Sequence, residues 1–246
     1  MELKMPAVDR ERFWGAIARV NSLDVRVWAE GQPDAAMGDP RILATAFTSD
    51  PPSIRQKMIQ RILASEIVKN SPGFGGAKVR AADVWNSPEG KLLTLRALMF
   101  FCKHYDVERA FTVDRWANVI QRFDYSSPHC HYESKAAVVY YLDLGEEVPD
   151  YPLSGRFELL DSRVPFCCSR GPHAPTRGII PELIEDSMIM FPAEFIHHVH
   201  PYMGNRPRIT LAWNISEGLQ PAGHEDTLTQ QVDGELGPPN LDSTSI

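Results

Sequence analysis

Five of the eight histidines fall in two short stretches, Pro128-His129-Cys130-His131-Tyr132-Glu133 and Phe195-Ile196-His197-His198-Val199-His200-Pro201. On an extended chain, residues two apart face the same side, so His129, His131 and Glu133 can project together. A His-x-carboxylate pair with one distant His is the facial triad of non-haem iron(II) oxygenases, which leaves coordination positions open for oxygen and substrate. His131 and His197 belong to either version of such a site. The third ligand is Glu133 or His129. A carboxylate offsets part of the iron charge, which favours Glu133 and leaves His129 to orient a ligand or a water by hydrogen bonding. His198 and His200 are not expected to ligate, because they alternate against His197 or sit beside Pro201. Cys130, between the two histidines, should point away from the metal.

Downstream of the second cluster, Arg206 and Arg208 lie about ten residues beyond His197. A fixed guanidinium there can hold a carboxylate through two hydrogen bonds. In an extended strand Arg206, Arg208, Thr210 and Ala212 share one face, and Ile209, Leu211 and Trp213 share the other. One face then offers cation and hydroxyl to a site, while the other is apolar enough to pack on helices.

The elements that must position these groups change character near residue 110. Before it, apolar positions recur at helical spacing. One helix is expected after Asp9, one after Pro51-Pro52 with the stripe Ile54, Met58, Ile59, Ile62, Leu63 and Ile67, and one from Ser87-Pro88-Glu89 through Leu92, Leu95, Leu98, Met99 and Cys102. From Phe111 onward, short β-branched and aromatic runs alternate with turn signals. Strands are expected at Arg115–Phe123, Ala136–Leu142, Gly155–Leu160, Ser187–Phe191, His197–Pro201 and Ile209–Ile215, with a long loop over Cys167–Pro181. Glu158, Asp161 and Arg163 read as a solvated strand edge. The predicted organisation is a helical region over 1–110 packed on a barrel, a catalytic β-core over 111–217, and a flexible tail over 218–246.

The bulk composition sets limits. The 246 residues are 43% hydrophobic and 23% charged, ordinary values for a globular chain with a sizeable core. A formal charge of −7 provides no basic field to attract nucleic acid. The longest apolar runs, Ala97–Cys102 and Ala136–Leu142, are far shorter than a membrane span. The N-terminal MELKMPAVDRER has no apolar signal core. Adjacent Cys167 and Cys168 are poorly placed to pair with each other, and reduced thiols fit a cytoplasmic protein.

Trp116 to Asn214 resembles the 2-oxoglutarate and iron(II) oxygenases found widely in bacteria and their phages. The likeness runs in order through Trp116-x-Asn118, His129-x-His131, Val139-Tyr140-Tyr141, Gly155-x-x-Glu158-Leu159-x-Asp161, Phe191-Pro192, His197-x-Val199-x-Pro201 and Arg208-x-Thr210-x-x-x-Asn214. Tyr-Tyr-Leu-Asp and the His-x-Val-x-Pro…Arg stretch also look like prolyl-hydroxylase relatives. The resemblance covers about 100 residues and leaves the first hundred out. It implies an α+β protein: a double-stranded β-helix, or jelly roll, with an N-terminal helical annex. It also implies Fe(II), 2-oxoglutarate as cosubstrate, and Tyr141 as a cosubstrate contact. The bacterial pattern selects Arg208 as the carboxylate clamp, whereas the prolyl-hydroxylase spacing selects Arg206. That pattern usually reads His-x-His-Pro in the first cluster, which favours His129 as the third ligand; here Tyr132-Glu133 follows instead.

The expected activity is a dioxygenase reaction that hydroxylates an unactivated carbon of a small molecule or peptide and releases succinate and CO2. Molecular oxygen is the other partner, and no catalytic side chains are required beyond the metal ligands. Two other readings compete. One is a cupin-type metal enzyme without 2-oxoglutarate, suggested by Pro192-x-Glu194-x-x-His197; the acid a cupin places after its His pair is missing where Lys135, Ala136 and Val138 stand. The other is a non-catalytic jelly-roll module around a structural zinc, which leaves Arg206 and Arg208 without a role.

Overall fold

The computed structural model describes residues 26–28, 42–70, 76–160 and 178–219. The helix expected after Asp9, most of the Cys167–Pro181 loop, Asp161, Arg163 and the tail beyond Leu219 lie outside the described residues.

Among the described residues, eleven strands form two antiparallel sheets. They are β1 (Arg26–Trp28), β2 (Ile42–Ala46), β3 (Ala77–Val79), β4 (Ala110–Ile120), β5 (Ser126–His129), β6 (Ala136–Asp143), β7 (Phe157–Leu160), β8 (Gly178–Ile179), β9 (Ser187–Pro192), β10 (Ile196–Val199) and β11 (Arg208–Glu217). The larger sheet runs β1-β2-β9-β6-β11-β4-β3 and the smaller runs β5-β10-β7-β8. All six strands anticipated from residue 111 onward are present, shifted by a few residues at their ends.

Period-two alternation divides the larger sheet into two working faces. Ile209, Leu211, Trp213 and Ile215 of β11 join Val138 and Tyr140 of β6, Ala117 and Val119 of β4, and Met188 and Met190 of β9 in the outer core. Their neighbours Ala137, Tyr141, Ile189 and Phe191 turn inward to meet Phe157 and Leu159 of the smaller sheet. The Phe157 and Phe191 rings, 5.5 Å apart, join the two sheets across this inner core.

The helices cover the outer face: α1 (Pro52–Ala64), α2 (Glu66–Lys69), α3 (Ala82–Trp85) and α4 (Pro88–Tyr105). In α4, Ser87 caps the N-terminus by accepting a bond from the Gly90 amide, and Pro88 starts the first turn. Its buried Leu93, Ala97, Leu98, Phe100 and Phe101 press on the sheet. Trp213 packs edge-on to Trp85 at 5.8 Å and donates its indole N–H to Thr94 Oγ1 at 3.1 Å. The expected stripe after Pro52 is narrower than its periodicity suggests. Met58 and Ile62 are buried, but Leu63 and Ile67 are 37% and 51% exposed. An extended Ser65 breaks the helix and resets its phase, so Val68 takes the buried position instead.

The N-terminal region is not purely helical. β2 pairs with β9 and β3 with β4, so this region contributes strands to both ends of the larger sheet. Those strands are three to five residues long, too short for alternation to stand out in sequence. No helix among the described residues is long and apolar enough to cross a membrane.

Candidate functional site

His197 lies on β10 with neighbours on both sides. Its Cα partner on β5 is His129 and on β7 is Leu159. His131 follows β5, where its backbone N–H donates to the Ala193 carbonyl at 2.8 Å. Three imidazoles therefore converge between the sheets. Ring centroids are 4.3 Å apart for His129–His197 and 5.1 Å for each of the other pairs. One nitrogen from each ring lies within 4.8 Å of the others.

Hydrogen bonds set the ring faces. His129 Nδ1 is 2.7 Å from the Ser127 carbonyl and His197 Nδ1 is 2.9 Å from the Phe195 carbonyl. A carbonyl only accepts, so each Nδ1 carries the proton and each Nε2 keeps a free lone pair. Burial pushes the His197 pKa down to about 3, against the raising effect of the Phe195 carbonyl. Burial, assisted by His129 and Lys78, takes His131 down to about 4. His129 is lowered as well, chiefly by burial. All three are thus neutral near pH 7, the form in which imidazole binds a metal.

Glu133 is not part of this group. A turn over residues 132–133 ends the extended conformation, and Glu133 is exposed on it. The same-face relation assumed for His129, His131 and Glu133 holds only while the chain stays extended, which it ceases to do after His131. Cys130 does not line the cavity, in keeping with its expected orientation.

The cavity extends from the imidazoles to Arg208, Thr210, Tyr141, Trp116 and Asn118. Arg208 is 3% exposed, its guanidinium is 5.3 Å from the Tyr141 ring centre, and no carboxylate among the described residues pairs with it. Its approach depends on Gly155, whose φ is +63°; a Cβ there would sit 3.1 Å from Arg208 Cδ and 2.9 Å from the Tyr202 ring. With the Arg208 guanidinium as its polar neighbour, the buried Tyr141 hydroxyl has no hydrogen bond of normal geometry among the described residues. Burial raises its pKa to about 12, and the adjacent Arg208 draws it back. Asn118 donates to Thr210 Oγ1 at 3.4 Å and accepts from the Trp116 indole at 2.9 Å.

Arg206 does not share the Arg208 face. β11 begins only at Arg208, and Arg206 lies on the preceding turn. There it pairs with Asp143 and donates to the Gly145 carbonyl at 2.6 Å. The fully buried Tyr202 fixes this turn, accepting from the Glu146 amide at 2.7 Å and donating to the Arg206 carbonyl.

His198 and His200 lie outside the three-imidazole group, as expected. Both instead approach Glu158 Oε2, at 3.1 and 2.7 Å. Glu158 was read as a solvated edge residue, but its side chain is only 18% exposed. Sequence reasoning also passed over Lys78, Phe157 and Asn214 as cavity residues. Lys78 stands on a three-residue strand next to a glycine turn, with its ammonium 5.2 Å from the Trp116 ring centre. Asn214 continues the every-second-residue parity of Arg208, Thr210 and Ala212 along β11, the signal that could have placed it on the inner face.

Residues 114–214 match the model of the family described as "Putative 2OG-Fe(II) oxygenase". The match nearly coincides with the Trp116–Asn214 stretch that carries the resemblance in sequence. No curated protein matches the chain. Among solved structures, HygX from Streptomyces hygroscopicus, determined with nickel and 2-oxoglutarate bound, covers 72% of this chain and 82% of its own. Its TM-score is 0.52 at 10% identity. EctD from S. alaskensis, determined with 2-oxoglutarate and 5-hydroxyectoine, covers 79% of this chain and 84% of its own, with TM-score 0.52 at 11% identity. At such identities the overlays show the fold, a double-stranded β-helix with helices on one face.

Proposed function

We propose that the protein is a 2-oxoglutarate-dependent iron(II) oxygenase whose iron is held by His129, His131 and His197. The observation that carries this reading is the buried, unpaired Arg208 in the same cavity as three neutral imidazoles. A buried cation without a counter-ion is costly, and pairing offsets that cost. An anion entering the cavity would supply the missing partner. The cupin and structural-zinc readings give Arg208 no such role.

The residues fit both groups. Two imidazoles are oriented by carbonyls with Nε2 free, and the buried Tyr141 hydroxyl has no hydrogen bond of normal geometry among the described residues. When bound, iron and 2-oxoglutarate together supply oxygen activation, releasing succinate and CO2. The chain's own work is to bind, orient and exclude water. Arg208 takes the distal carboxylate of 2-oxoglutarate, Tyr141 donates to the same carboxylate, and Thr210 and Asn118 line its path. Phe157 and Phe191, packed 5.6 and 4.8 Å from His197, keep that ring fixed and dry. Lys78 and Trp116, which line the cavity from β3 and β4, face the substrate. The substrate is a small molecule or peptide, and the outcome is hydroxylation of an unactivated carbon.

The test is anaerobic addition of iron(II) and 2-oxoglutarate. Chelation produces a weak visible charge-transfer band, followed by succinate when air is admitted. Tight zinc binding with neither signal would overturn the proposal.

A further inference from the structure

Glu158 on β7 and His198 on β10 are Cα partners in the smaller sheet. They point away from the cavity, because their sequence neighbours Phe157, His197 and Val199 line it and Leu159 joins the inner core. His200, two residues beyond His198, returns to the same outer side. Its backbone N–H donates to the Arg156 carbonyl at 2.9 Å, which ties the chain end of β10 to the start of β7. The two imidazoles stand 4.6 Å apart, and one carboxylate oxygen reaches both Nε2 atoms. One donor atom from each of the three residues lies within 4.8 Å of the others.

The carboxylate is held in place by its surroundings. Its second oxygen, Oε1, rests on Gly178 of β8, where an added Cβ would come within 1.7 Å of it. The side chains are 17–20% exposed, so the group is partly desolvated yet open on one side.

We propose that Glu158, His198 and His200 form a second divalent-cation site of the zinc class, independent of the iron site. Two imidazoles and a carboxylate are a borderline N/O donor set suited to zinc, with a fourth position left to water. Moving each ring proton from Nε2 to Nδ1 turns the atoms that now contact Glu158 into lone-pair donors. A bound cation would fasten β7 to β10, the strand that carries His197 on its other face.

The experiment is equilibrium dialysis of the tag-free, metal-stripped full chain against Zn2+, with elemental analysis. Wild type should hold two equivalents, the double variant His198→Ala/His200→Ala one, and His129→Ala/His197→Ala one. Glu158→Gln keeps the volume and carries the test if the double variant does not fold. It should lose the outer equivalent by more than the about 10–100-fold expected for removal of a hydrogen-bonding neighbour. Wild-type stoichiometry in both outer-face variants would overturn the proposal. A single wild-type equivalent that disappears in the outer-face variants supports it and would instead count against the three-histidine iron site.

Discussion

His129 and His197 are Cα partners across β5 and β10, and their rings are the closest of the three imidazole pairs at 4.3 Å. This register fixes two imidazole positions through backbone pairing rather than through loop conformation. The irregularity between His197 and Val199 follows immediately after, so the strict register ends just past the site. The third imidazole, His131, is anchored by its own amide to Ala193.

The first prediction therefore separates His129 from Glu133. His129→Ala should nearly abolish iron binding, because it removes a converging donor. Glu133→Ala, on an exposed turn, should leave iron affinity within about twofold, the small effect typical of exposed sites remote from bonded networks. Anaerobic iron titration followed at the charge-transfer band measures both. Normal iron binding by His129→Ala would show that the ligand set differs from three histidines.

Arg208 and Arg206 should differ just as clearly. Breaking a buried ion pair by removing one partner costs about 3–5 kcal/mol, about 150- to 5,000-fold in affinity. Arg208→Ala should weaken 2-oxoglutarate binding on that scale. Arg206→Ala should change the affinity little, since Arg206 is committed to Asp143 and Gly145. Calorimetric titration with iron present compares them. Similar, small losses from both would place the carboxylate clamp elsewhere.

Stability has its own buried pair. Arg96 of α4 is 2% exposed, pairs through both terminal nitrogens with Asp50, and lies 4.3 Å from the Phe47 ring centre. Asp50→Ala would strand that guanidinium, with a destabilisation of about 3–5 kcal/mol. Urea unfolding should show a lower midpoint with an unchanged slope. A variant as stable as the parent would mean that another group neutralises Arg96.

The parts of this architecture that were legible in sequence are those with long, regular alternation. β11 is ten residues long, and its Ile209/Leu211/Trp213 face was visible because every second residue is apolar. The convergence of His131 and His197 was likewise signalled by residue type. Glu133 was misplaced because parity applies only to extended chain and the turn at 132–133 carries no Gly or Pro to announce itself. Arg206 failed for a related reason: β11 begins two residues later than the alternation implied. The Glu158–His198–His200 group depends on cross-strand register between segments about 40 residues apart, which periodicity within one strand cannot reveal.

The last prediction concerns Tyr141, where stability and binding should move apart. Its hydroxyl is buried and has no hydrogen bond of normal geometry among the described residues, with only the Arg208 guanidinium beside it, and an unbonded buried hydroxyl costs up to about 1–3 kcal/mol. Tyr141→Phe removes the oxygen and keeps the ring, which packs with Phe157, Phe191 and Ile189 in the inner core. The metal-free variant should therefore melt at the parent temperature or above it. A hydrogen bond to a charged group contributes about 1.5–3 kcal/mol, so the same change should weaken 2-oxoglutarate binding by about 10–150-fold. Paired measurements of thermal unfolding and 2-oxoglutarate titration decide the matter. A variant that loses stability while binding 2-oxoglutarate normally would make Tyr141 a packing residue and leave Arg208 to hold the carboxylate without it.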